Sequence, residues 1–117
     1  MSEQPTRPQP ERRRYRRVSL TTPVIVIRSA EIRTYSTRDL SPGGAFLFAN
    51  DAPPVGSAVR IEFVLARNKR FSMPATVIRD ETNRPAHEQP GFAISFDISP
   101  GAREEIGCAV YVEDGSK

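Results

Sequence analysis

Two apolar series at alternating positions constrain this chain more than any other feature. They are Val59, Ile61, Phe63 and Leu65, followed by Phe71, Met73, Ala75 and Val77. Side chains at every second position share one face of a strand. The two series therefore read as half-buried strands, with Ala66-Arg67-Asn68-Lys69 as the hairpin turn between them. A lone hairpin is at best marginally stable in water, so the remaining residues have to supply further strands. Residues 18–27 are rich in β-branched side chains, with an irregularity at Thr21-Thr22-Pro23. Residues 31–40, with Thr34, Tyr35 and Thr37, read as a second strand, and residues 45–49 as a short third. Phe92, Ile94 and Phe96 mark a sixth. Residues 51–56 and 80–90 are polar, proline-bearing loops.

The period changes near the C-terminus. Ala102, Ile106, Ala109 and Val110 fall on one face of a helix. Ser99 suits its N-cap and Pro100 its first position. Six strands and one helix predict a mainly β fold, a six-stranded antiparallel β-barrel or sandwich closed by a C-terminal α-helix. The six phenylalanines alternate within strands, so most of them are expected in the core. With 117 residues there is room for one domain.

The longest apolar run, Val24 to Ile27, is far too short to cross a bilayer as a helix, so no membrane insertion is expected. The N-terminus lacks the apolar stretch of a secretory signal. The single Cys108 cannot form an intrachain disulfide and is expected to be buried or partly buried on the helix. A reducing, cytoplasmic setting is the simplest expectation. His87, the only histidine, lies in a polar loop. No plausible base, nucleophile or metal set emerges, so no enzyme, no metal and no cofactor are expected.

Charge is unevenly distributed. Residues 1–20 carry six arginines and two glutamates, a net of +4, whereas residues 21–117 carry eleven basic and twelve acidic side chains, a net of −1. Fifteen of the seventeen cations are arginine, the side chain suited to bidentate binding of phosphates and of guanine edges. This points to a local anionic partner and not to a generally basic surface.

Two motifs carry the functional signal. The first is Glu11-Arg12-Arg13-Arg14-Tyr15-Arg16-Arg17-Val18, and the second is Asp39-Leu40-Ser41-Pro42-Gly43-Gly44-Ala45-Phe46. Arg13 and Arg17 share one side of the chain. Asp39 and Ser41 share one strand face, with Leu40 on the other. Pro42-Gly43 fits the centre of a type II turn, and Gly44 leaves room for a ligand near the backbone. Guanidinium groups bind phosphate and stack on bases, while a carboxylate accepts from the N1–H and N2 amino donors of guanine. Together they suit a guanine nucleotide with phosphates.

The two motifs in this order resemble the PilZ domain family, which binds the bacterial second messenger cyclic di-GMP. Its RxxxR motif is matched by residues 13–17 and its [DN]xSxxG motif by residues 39–44; residues 91–96 resemble its last core strand. The resemblance covers residues 11–112. It implies a flexible leader at 1–11, a PilZ domain at 12–113 and a tail at 114–117. By carry-over, Arg13 and Arg17 grip phosphate and guanine, Asp39 and Ser41 read a guanine edge, and Gly44 permits close approach. An arginine at the position of Arg12 implies an intercalated pair, hence two cyclic di-GMP molecules per chain. Arg79, on the fifth strand, is an additional candidate contact. The expected function is a receptor that orders its arginine arm over the ligand and signals to a protein partner in trans. Two other readings stay open: a PilZ-like adaptor without ligand binding, and a nucleic-acid binder using the arginine arm.

Overall fold

The computed structural model describes residues 20–65 and 68–113. Six strands run as β1 (Pro23–Arg28), β2 (Glu31–Ser41), β3 (Gly44–Phe48), β4 (Ala58–Leu65), β5 (Lys69–Glu81) and β6 (Gly91–Phe96). A short 3-10 turn, Ala86–Glu88, precedes β6, and the helix α1 (Pro100–Glu113) follows it. All strand pairs are antiparallel, and the sheet closes on itself in the order β1-β2-β3-β6-β5-β4. Closure leaves the sheet without edge strands. The expected mainly β barrel with a C-terminal helix is therefore the observed architecture.

Alternation explains the interior. Val59, Ile61, Phe63 and Leu65 of β4 line the core beside Phe71, Met73, Ala75 and Val77 of the adjacent β5, joined by Val24, Val26, Leu40, Leu47, Phe92, Ile94 and Phe96. Phe63 stacks between Phe71 and Phe96, with centroids 5.3 and 6.0 Å away. Ile106 and Val110 of α1 are buried against this core, as their helical spacing predicts. Ser99 caps the helix: its Oγ accepts from the Ala102 amide at 3.2 Å and its carbonyl from the Arg103 amide at 3.0 Å.

Several details depart from expectation. Strand β5 runs on to Glu81, through two residues expected in a loop, because its pairing with β6 resumes after a bulge at Ile78. Lys69 belongs to β5 and not to the turn; Asn68, before it, takes the left-handed conformation with φ 58°, which Asn tolerates. Gly43 has no positive φ, so the β2–β3 turn is not type II. Ser41, Pro42 and Gly44 occupy the first, second and fourth positions that suit a type I turn. Cys108 is exposed and not buried. It sits about 200° around the helix from the buried Ile106. Most of the phenylalanines are in the core as expected: Phe63, Phe71, Phe92 and Phe96 lie in the barrel interior.

Candidate ligand-binding site

The second motif lies on the outside of the barrel because β2 is bulged. Its register with β3 passes from Thr37 opposite Leu47 to Asp39 opposite Phe46, leaving Arg38 as the extra residue. In a regular strand Asp39 would point to the same side as the fully buried Thr37. One inserted residue reverses that phase. Leu40 enters the core, and Asp39 and Ser41 share the outer face, as their spacing predicts.

The outer face is tightly built. Asp39 and Ser41 are only 8% and 9% exposed. Nε of Arg38 donates to Oδ2 of Asp39 at 3.1 Å. The same guanidinium lies over the Phe46 ring, 3.8 Å from its centroid. Phe46 is buried outside the barrel core, directly across from Asp39. Ser41 Oγ accepts from the Gly43 amide at 3.3 Å and donates to the Gly44 carbonyl at 3.4 Å. Both bonds are long, so exchanging them for a ligand contact costs little.

Glycine at position 44 has a structural reason as well. A Cβ there would stand 2.2 Å from the carbonyl oxygen of Ile94 on β6. At Gly91 a Cβ would meet the Leu47 carbonyl oxygen at 2.1 Å and the Phe46 ring at 2.6 Å. These two glycines let β3 and β6 approach and let Phe46 lie flat on the outer surface. A third, Gly107 of α1, has Pro42 beside it: an added Cβ would stand 3.3 Å from the proline ring. The helix therefore packs directly on the motif turn.

Arg79 is on the same outer face and in the same row, through Asp39–Phe46, Phe46–Ala93 and Ala93–Arg79 pairing. Three strand spacings separate it from Asp39, about 14 Å. Its Nε is engaged by Glu81 at 2.9 Å, and Glu81 also meets Arg84 at 3.3 Å. Asp39, Ser41 and Gly44 are thus brought together, while Arg79 stands apart. Arg12, Arg13 and Arg17 lie outside the described residues, as do the leader at 1–11 and the tail at 114–117.

Sequence reasoning missed Thr37, Arg38 and the outer placement of Phe46. Thr37 Oγ1 accepts from the Thr22 amide at 3.0 Å and donates to the Leu20 carbonyl, while its own amide donates to the Thr22 carbonyl at 3.0 Å. This one side chain ties Leu20 and Thr22 to β2. A buried threonine in a strand gives no such signal by composition, and a bulge leaves no mark on residue type.

Among the described residues, no helix is long and apolar enough to cross a membrane. The model of the PilZ domain family matches residues 11–112. None of the curated proteins matches the chain. Similar solved structures include the inhibitor of motility MotI/DgrA of Bacillus subtilis, at 18% identity and a TM-score of 0.72 over 98% of this chain and 55% of that one. This chain therefore spans little more than half of MotI. The PilZ domain of CeSA from a cellulose-synthesizing bacterium is similar at 24% identity and a TM-score of 0.59, over 86% of this chain and 97% of that one. The PilZ domain of YcgR from Escherichia coli, solved with cyclic di-GMP, is similar at 20% identity and a TM-score of 0.66, over 90% of this chain and 93% of that one. At these identities the likeness is one of fold.

Proposed function

The chain belongs to the PilZ domain family, and from that premise we propose that it is a non-enzymatic cyclic di-GMP receptor. Arg13 and Arg17 bind phosphate and guanine from the arm, and Asp39 and Ser41 read a guanine edge from the barrel. Binding orders the arm over the ligand and creates a surface that a protein partner recognises in trans. Arg12 brings a second ligand molecule into the site, giving two per chain. The setting is the cytoplasm, and the PilZ domain spans residues 12–113.

The observation that carries this reading is the position of Leu20. Its carbonyl is bonded by Thr37, and Thr22 lies opposite Thr37 in the ladder that β1 and β2 continue. The chain thus enters the barrel beside the Asp39 stretch of β2. Arg17 is three residues before Leu20, so its Cα is within about 11 Å of Leu20, and that of Arg13 within about 25 Å. The two halves of the site are tethered at close range, and neither needs a second polypeptide. Each charge-assisted hydrogen bond formed on closure contributes roughly 1.5–3 kcal/mol. An order–disorder switch of this kind converts ligand charge into a new surface.

Titration calorimetry of the full chain with cyclic di-GMP tests this. We expect saturable binding with a ligand ratio near two, weakened about ten- to hundredfold by Arg13→Ala and by Asp39→Ala. Arg12→Ala should bring the ratio to one. A folded wild type with no binding would point instead to an adaptor working by protein contacts alone.

A further inference from the structure

We infer that Arg38 is the positioning residue of the guanine-reading carboxylate: it fixes Asp39 in the orientation that engages both N–H donors of the base. The inference rests on the cyclic di-GMP reading of the Asp39/Ser41 face.

The terminal torsion of an aspartate is broad and soft, so a carboxylate on a barrel surface does not choose its own plane. Arg38 supplies the constraint. It follows the inward Thr37 and so points outward, and the β2 bulge turns Asp39 to that same face instead of letting it alternate inward. Its Nε donates to Asp39 Oδ2 at 3.1 Å. Its guanidinium plane is held in turn by the Phe46 ring, 3.8 Å from the centroid. Phe46 is itself fixed: it is 1% exposed, and only the missing side chain of Gly91 makes room for it. The restraint runs from β6 through β3 to β2, each step a packed contact. Arg38 remains 35% exposed, so it can be replaced without opening the core.

Lysine cannot replace this function, because it offers neither a plane for Phe46 nor an Nε beside the carboxylate. Arg38 therefore acts on which base is read more than on how tightly phosphate is held. A guanine donates N1–H and the 2-amino group to a well-placed carboxylate; hypoxanthine retains only N1–H. A carboxylate free to rotate loses the second contact first.

The test compares cyclic di-GMP with cyclic di-IMP on the full chain by calorimetry. Wild type should prefer the guanine ligand about tenfold or more, the worth of one charge-assisted bond. Arg38→Met and Arg38→Lys should reduce that preference to about twofold, with cyclic di-IMP affinity falling less. Phe46→Leu should reduce it partway. Arg17→Ala should weaken both ligands alike and keep the ratio, which separates base reading from phosphate grip. Thermal unfolding identifies any variant that is misfolded, and Arg38→Lys serves if Arg38→Met is one. If wild type discriminates and both folded Arg38 variants discriminate equally well, the inference is overturned and the receptor reading stands. If wild type binds neither ligand, the receptor reading falls and takes the inference with it.

Discussion

The same three strands, β2, β3 and β6, present two faces built on opposite rules. Inside, Leu40, Leu47, Phe92 and Ile94 fill the barrel with apolar side chains. Outside, Asp39, Arg38 and Phe46 form a layer of charge on an aromatic ring, laid on strands thinned by Gly44 and Gly91. The inner face answers to area removed from water, about 25 cal/mol per Å². The outer face answers to direction: which carboxylate oxygen, ring plane or amide is aimed where. The difference teaches that stability and recognition sit back to back on one backbone. The β2 bulge is what lets a single strand serve both, by switching phase between Thr37 and Leu40.

That division can be tested from both sides. The largest effect belongs to the interior. Phe96→Ala removes a fully buried ring stacked near Phe63 and should cost about 3–5 kcal/mol, read as a lower urea midpoint with an unchanged m-value. Gly44→Ala should break the comparison on purpose. It lies in the binding motif, yet its Cβ would clash with the Ile94 carbonyl, so it should cost about 1–3 kcal/mol of stability whether or not ligand is present. A Gly44→Ala protein as stable as wild type but unable to bind would assign this glycine to ligand approach alone.

Period-two patterning made the barrel legible in the sequence, because strands β4 and β5 repeat an apolar residue with nothing to interrupt the phase. The bulges at Arg38 and Ile78 were not legible. Each is one extra residue that changes which face follows, while composition stays the same. This explains why Asp39 and Arg79, each two residues beyond a buried side chain (Thr37 and Val77), both lie on the outer face. The β2–β3 turn was misread because two adjacent glycines invite the φ > 0 explanation; the requirement lies in Gly44 and its neighbour strand, not in Gly43. For Cys108 the helical wheel was the better guide than residue type. Of the site, Asp39 and Ser41 were visible from their spacing, whereas Thr37 acts through partners 15 and 17 residues away and Arg38 shares a face with its neighbour Asp39 only because of the bulge.

Smaller effects sharpen the outer face. Ser41→Ala removes one neutral hydrogen-bonding group, worth roughly 1 kcal/mol, so cyclic di-GMP affinity should fall about threefold to tenfold with the fold intact. Least of all is Asp80, at the end of β5. The Thr82 hydroxyl and amide both donate to it, at 2.6 and 2.9 Å, holding its carboxyl below the ordinary 3.8. Its contribution is therefore present above that value and lost as pH falls through the lower folded-state value. Asp80→Asn should flatten only this acid limb in denaturation curves taken between pH 5 and 3, and leave ligand affinity at pH 7 unchanged.

The central claim is that cyclic di-GMP draws the arginine arm onto the Asp39/Ser41 face. Cys108 offers a direct probe: it is exposed and follows Gly107, which packs on Pro42 of the motif turn. A nitroxide attached there broadens the amide resonances of any segment that comes near. With saturating cyclic di-GMP, the amides of residues 12–17 should become strongly broadened, and this should vanish in Asp39→Ala at the same ligand concentration. Arm amides that keep their free-state intensities while the barrel resonances report full ligand occupancy would contradict the account.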